Sequence, residues 1–209
     1  KLFLSAKRRD AIYEAEKQNY KVAICDDGLQ DKSMDYDLKL VCFNNINWIG
    51  NGMTLPSGPL RENIDNLKNY EHVFINGNLE NQEEIKKQIF KINPKINIYL
   101  GKYEPININE FKKDDKYIVF SGIGNHNTFV SMIKNYELTI LKDIEFPDHY
   151  KYNKKDINQI LDYANQLNCK IITTEKDFLR LDNLKNEKIK YLKSELKILN
   201  EEKLIKSII

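Results

Sequence analysis

Residues 71–100 read EHVFINGNLENQEEIKKQIFKINPKINIYL, and this stretch decides the fold. EHVFING (71–77) is an apolar run of strand length that closes on Asn76-Gly77, a turn pair. NQEEIKKQIFKI spaces its apolar residues at helical intervals with charges between them. INIYL (96–100) is the next strand. Strand, helix, strand in this order calls for a crossover between parallel strands, so the fold class is α/β with a mostly parallel sheet.

Working outward, LKLVCF (38–43) is a further strand and YKVAIC (20–25) reads as a buried one. Before them, Ala11, Ile12 and Ala15 share one face of a short helix. Residues 45–63 are dense in Gly, Pro and Asn and read as an ordered loop. Downstream, the polar segment EPININEFKKDDK (104–116) marks a domain boundary. YIVFSGIGN (117–125) is a strand running into a glycine turn, with a helix from Asn125. LTILKDIEFPDHYKYN is a strand and a Pro-marked loop. KKDINQILDYANQLN is a helix with Ile157, Ile160, Leu161 and Ala164 on one face. CKIITTEKDFLRL is a strand, a loop and a helix start, and IKYLKSELKIL and EEKLIKSII close the chain. The expected domains are residues 1–112 and a smaller α/β domain, 113–209.

The 209 residues are 41% hydrophobic, which suits a packed core rather than a disordered chain. With 33 basic and 31 acidic residues the net charge is +2, which gives no electrostatic case for a nucleic-acid partner. No apolar run reaches the ~18 residues of a membrane span. Cys25, Cys42 and Cys169 each lie in or beside an apolar run and form no CxxC pair, so they read as small buried hydrophobes in a reduced compartment.

Five stretches carry chemistry. Asp26-Asp27-Gly28 places two adjacent carboxylates at the expected carboxyl end of a strand, where α/β folds bind ligands, and Gly28 lets the backbone turn sharply away from them. Two like charges there repel unless a cation joins them. In nucleotide-binding proteins this is the Walker B position, which holds Mg²⁺. A solvated Asp pair capping the next helix fits the spacing equally well. In Ser57-Gly58-Pro59-Leu60-Arg61-Glu62, Arg61 is a phosphate or sugar ligand, or one half of a surface ion pair. Ser121-Gly122-Ile123-Gly124-Asn125 lacks the third glycine of a dinucleotide fingerprint and serves equally as a close-packing turn. Phe146-Pro147-Asp148-His149 offers a general-base histidine, whose partner need not be its neighbour Asp148. In Thr173-Thr174-Glu175-Lys176-Asp177 a threonine caps a helix, with Asp177 in the first turn.

Taken in order, DDGLQ (26–30), IGNGMTLPSGPLRE (49–62), VFING (73–77), FSGIGN (120–125), FPDH (146–149) and ITTEKD (172–177) resemble the tetraacyldisaccharide 4′-kinases, the lipid A 4′-kinases. The resemblance runs from about Arg9 to Asp177. It implies a fold like that of the P-loop NTPases, incomplete here, followed by a smaller α/β domain. It implies transfer of a phosphate from ATP, with Mg²⁺, to the 4′ position of an acylated glucosamine disaccharide. Such an enzyme works as a peripheral protein at the cytoplasmic face of the bacterial inner membrane. By the same resemblance, Asp26 and Asp27 hold the metal, and Gly28 and Gln30 border the nucleotide. Arg61 and Glu62 contact substrate or nucleotide. His149, with Asp148, helps activate the sugar hydroxyl together with an aspartate upstream of this chain.

Three departures from the family's pattern stand out. No G-x-x-x-x-G-K-[ST] occurs; the only Gly-Lys, Gly101-Lys102, is followed by Tyr103. The chain opens KLFLSAKRRD without Met, and the family's phosphate-cradling loop is expected upstream of it. Asp31 stands where the family usually has His after DDGLQ, and Tyr150 follows FPDH. Two other readings compete: a scaffold of the same descent that binds lipid or a partner without catalysis, and a Mg²⁺-dependent phosphatase. The phosphatase needs a D-x-D pattern in the first loop, where the acidic pair is adjacent instead.

Overall fold

The computed structural model describes residues 1–208. Its strands form two four-stranded sheets. The first contains β1 (Leu40–Asn44), β2 (His72–Gly77), β3 (Asn97–Pro105) and β8 (Ser194–Leu199), in that spatial order. The second contains β4 (Lys116–Ser121), β5 (Thr139–Glu145), β6 (Lys170–Thr174) and β7 (Ile189–Leu192), in the order β5-β4-β6-β7. Every pairing is parallel except β3 with β8. The mostly parallel α/β architecture read from residues 71–100 is therefore the observed one.

Parallel strands need helical crossovers, and these cover the sheet faces. In β2, Val73 and Ile75 turn to one face and pack with Ile85 and Ile89 of α2 (Gln82–Ile92). Phe74 turns to the other face and meets Tyr99 and Leu204, the latter on α6 (Glu201–Ile208). In β4, Tyr117 and Val119 join Phe129 and Ile133 of α3 (His126–Asn135). Ile118 and Phe120 alternate to the opposite face and join Ile157, Ile160 and Ala164 of α4 (Lys154–Gln166). Tyr117 to Phe120 are all buried, because β4 is central and covered on both faces. A capping box starts α4: Asn153 accepts from Lys155 and Asp156 N–H, and Asp156 accepts from Asn153 N–H.

Four features differ from the sequence reading. Residues 21–25 form no strand: Val22 is 68% exposed and Ile24 94%. An apolar segment becomes a strand only when neighbouring strands take up its backbone groups, and none among the described residues does so. The 113–209 division also fails to describe the chain's end. After β7 the backbone returns, β8 pairs antiparallel along β3 from Leu100 to Pro105, and Leu204 of α6 packs on the first sheet. The cysteines are free thiols, with Cys42 exposed on the edge strand β1 and Cys25 and Cys169 only half-buried. An edge strand with an uncovered face leaves alternate side chains in solvent, which is why a strand cysteine need not be a core one. Finally, the left-handed turn at the acidic pair falls on Asp27 (φ 53°), and not on the glycine. Aspartate tolerates that conformation better than most residues.

The two sheets meet through asparagines at the carboxyl ends of β1 and β2. Asn44 donates to Thr128 of α3 (2.9 Å), Asn78 to Ser131 (3.0 Å) and Asn47 to Asn125 (3.2 Å). Asn45 is buried and donates to both Asn78 and Asn81 at 2.7 Å. No described helix is long and apolar enough to cross a membrane.

Candidate active site

Four of the motif loops lie where the fold puts its ligand sites, beyond the carboxyl ends of parallel strands, whereas the DDGLQ loop follows no strand among the described residues. SGIGN follows β4, FPDH follows β5 and TEKD follows β6, and these three strands are neighbours in the order β5-β4-β6. The strand register aligns Ser121 with Glu145 and Phe120 with Thr173, so the three loops emerge side by side. The GPLRE loop likewise follows β1.

The acidic pair sits on an exposed loop held from two sides. Arg8, on α1 (Arg8–Lys17), donates to the carbonyls of Asp26 (3.2 Å) and Asp27 (2.8 Å) and pairs with the Asp31 carboxylate (3.4 Å). Ser33 donates to Asp31 through both N–H and hydroxyl, and this mainly holds the Asp31 carboxyl below its usual range, with a smaller contribution from Arg8. The charge that the departure at position 31 adds is thus engaged locally. Gly28 is buried, and its carbonyl accepts from Tyr36 hydroxyl at 3.1 Å. A Cβ there would lie 2.8 Å from that hydroxyl oxygen, so a larger residue would have to displace the end of the Tyr36 side chain.

The GPLRE loop closes on this pair. Arg61 meets the Asp27 carboxylate at 2.8 Å, and Gln30 donates to Glu62 at 2.9 Å. Asn66 and Tyr70 also donate to Glu62. The structure therefore brings Asp27, Gln30, Arg61 and Glu62 into one cluster. The Asp26 carboxylate has no hydrogen-bond or ion-pair partner among the described residues.

These bonds lower the Glu62 carboxyl below its ordinary 4.5, the one from Gln30 most, against partial burial that raises it. A depressed carboxyl contributes stability that is fully present above the unfolded value and is lost as pH falls through the folded value. Glu62→Gln keeps the shape and removes the titration. Its thermal midpoint is expected to fall less steeply than the parent's as pH drops below 4.5. Parallel midpoint-versus-pH curves for the two proteins would contradict this.

His149 stands apart from that cluster, and no hydrogen bond or ion pair among the described residues joins the two groups. Its backbone is left-handed (φ 60°), and its N–H donates to Asp148 Oδ1 (2.8 Å) and Gly122 O (3.2 Å). Asp148 thus bonds the backbone of His149; its carboxylate is 3.7 Å from the ring nitrogen Nε2, beyond hydrogen-bond length. The partner of the ring is Arg180, whose NH2 lies 3.0 Å from Nδ1. A Cβ on Gly122 would lie 3.0 Å from Tyr152 hydroxyl and 3.2 Å from Pro147 O, so this glycine admits the FPDH loop. Thr174 caps α5 (Glu175–Arg180) by accepting from Asp177 N–H at 3.1 Å, as the sequence implies. Asp177 itself is wholly buried. Sequence reasoning missed Arg8 and Arg180. For Arg180 a signal existed, its i,i+3 spacing from Asp177 on a helix; for Arg8, 18 residues upstream of Asp26, there was none.

The class of protein is thus an α/β protein with four of its polar motif loops at the carboxyl ends of parallel strands. The chain belongs to the tetraacyldisaccharide-1-P 4′-kinase family, whose model matches residues 1–209. A tetraacyldisaccharide 4′-kinase of Pelagibacter ubique (strain HTCC1062) is 59% identical over 208 residues, covering 100% of this chain and 66% of the relative. One of Rickettsia typhi (strain ATCC VR-144 / Wilmington) is 33% identical, covering 90% of this chain and 56% of the relative. The chain therefore spans from just over half to about two thirds of the length of these relatives. The crystal structure of LpxK from Aquifex aeolicus in complex with ATP shares the fold, with a TM-score of 0.59 at 24% identity over 96% of this chain and 61% of that one.

Proposed function

We propose that this chain works as part of an ATP-dependent kinase that phosphorylates the 4′-hydroxyl of a tetraacyl glucosamine disaccharide 1-phosphate in lipid A biosynthesis. The family match along residues 1–209 carries this reading. The closure of the GPLRE loop onto the DDGLQ loop supports it, and so does the ATP complex of the Aquifex protein. An acceptor with four acyl chains resides in a bilayer and ATP is cytoplasmic, so the enzyme acts as a peripheral protein at the inner membrane's cytoplasmic face.

Asp26 and Asp27 fit Mg²⁺ in donor chemistry: two hard carboxylate oxygens on an exposed loop. The described residues hold no group of three or more metal-ligating side chains, so water and nucleotide phosphates would have to supply the remaining ligands. When bound, Mg²⁺ neutralises the triphosphate and the charge that develops during transfer. Arg61 is a two-pronged cation suited to a phosphate or carboxylate, and it now faces Asp27. Glu62 fixes Gln30 beside it, and Gly28 with Gln30 borders the nucleotide. His149, on the turn that Asp148 stabilises, serves the acceptor hydroxyl.

The test extends the reading frame upstream of Lys1 and assays the product with ATP, Mg²⁺ and the disaccharide lipid. Strong 4′-phosphorylation is expected from the extended protein, falling about 10²–10⁴-fold in His149→Ala. The 209 residues alone, which contain no G-x-x-x-x-G-K-[ST], are expected to transfer none. Transfer by the short chain would overturn the need for a separate phosphate cradle. No transfer by the extended protein would leave the scaffold reading.

A further inference from the structure

TEKD is a motif to which the function above gives no role, and its geometry leads to His149. Asp177 is completely buried at the start of α5. Its Oδ2 accepts from Thr174 hydroxyl at 2.6 Å, and its Oδ1 accepts from Arg180 at 3.2 Å. The same Arg180 nitrogen donates to Gly122 O at 2.9 Å. That carbonyl also accepts the His149 backbone N–H. The other terminal nitrogen of Arg180 reaches His149 Nδ1 at 3.0 Å. One guanidinium therefore ties together the loops after β4, β5 and β6.

We propose that Arg180, anchored by Asp177, is a positioning residue that fixes the ring orientation and tautomer of His149. The inference rests on the kinase reading for the use of His149, but its structural half does not. A guanidinium only donates hydrogen bonds. Nδ1 must therefore accept, and the neutral ring carries its proton on Nε2. The imidazole then presents Nε2–H as a donor toward the open side, where it holds a substrate or carboxylate oxygen in place; a ring held this way orients that group and does not itself take the hydroxyl proton, unlike the general base its sequence offered. A planar fork is what the task needs. One nitrogen serves the Asp177–Gly122 anchor while the other faces the ring, a division that a lysine ammonium does not reproduce rigidly. The arrangement also accounts for a left-handed His149, because its N–H and the guanidinium share the Gly122 carbonyl.

The test reads the tautomer directly, on the 209-residue chain with ¹⁵N-labelled histidine. Only His72, His126 and His149 contribute, and His149→Gln identifies the third. At a pH where the ring is neutral, His149 is expected to show a protonated Nε2 and an accepting Nδ1. Arg180→Ala should convert it to a mixture of tautomers, and Arg180→Lys should retain part of the bias. His72, in the first sheet, should be unmoved and reports an intact fold. Should Arg180→Ala fail to fold, Arg180→Gln is read the same way. An unchanged His149 signal in a folded variant overturns the proposal. In the extended protein, Arg180→Ala should lower kcat about 10–100-fold, the range for residues that orient others in a site, with KM within about twofold. Normal kcat in Arg180→Ala beside an inactive His149→Ala overturns the positioning role. Normal kcat in His149→Ala overturns the assigned use of His149 instead, and leaves the Arg180 link to the tautomer measurement.

Discussion

Asp26→Asn in the extended protein is expected to lower phosphoryl transfer by about 10²–10³-fold while leaving the thermal midpoint unchanged. The magnitude is that of removing one preorganised group that stabilises transition-state charge. The unchanged midpoint follows from the structure, since the Asp26 side chain is exposed and bonds to nothing among the described residues. Its loop is held instead through backbone carbonyls, by Arg8. Asp27→Asn should lose activity similarly but through two causes, because its carboxylate also restrains Arg61 at 2.8 Å. A double-mutant cycle of Asp27→Asn with Arg61→Ala separates them: non-additive losses show that the pair acts together. The apparent Mg²⁺ requirement should rise in either aspartate variant. Activity within a few-fold of the parent in Asp26→Asn would remove the metal assignment, and leave the acidic pair as an anchor for Arg8 and Arg61.

The second large effect is on stability. Phe120→Ala is expected to cost about 3–5 kcal/mol, since the ring is wholly buried in the central strand of its sheet. That corresponds to a drop of roughly 10 °C in the midpoint for a chain of this size. Its ring packs edge-on against Phe146 (6.4 Å) and Tyr152 (5.5 Å). Phe146 in turn lies 4.8 Å from Tyr150. This aromatic cluster underlies the FPDH loop, so the same substitution should loosen His149 and reduce activity beyond what the unfolded fraction explains. Tyr152 matters for the same reason: its buried hydroxyl lies beside the Asp177 carboxylate, and burial foremost pushes its pKa far above the ordinary tyrosine value. Phe120→Leu, which keeps most of the volume, should recover most of the stability. A midpoint shift of less than about 2 °C in Phe120→Ala would show that the cluster repacks, and would separate the core of the second sheet from the site it supports.

What the sequence determined by itself was everything that depends on neighbours along the chain. The apolar runs of β2 and β4, the 3.6-residue period of α2 and α4 and the threonine cap of α5 are local. Local patterns fix element type, and the element order fixes a parallel α/β sheet. The motif order was enough to suggest the family that the whole-chain match establishes. Tertiary structure decided the rest, because strand identity and site partnership depend on groups distant in sequence. Residues 21–25 have strand composition but stay exposed, since pairing requires an adjacent strand. β8 joins the first sheet because the edge of β3 is free to accept it, and no pattern within residues 194–199 specifies that choice. The closure of Arg61 onto Asp27 spans 34 positions, and that of Arg180 onto His149 spans 31. Side chains so far apart along the chain meet only because the β5-β4-β6 order and the closure of the loop after β1 bring their backbones together.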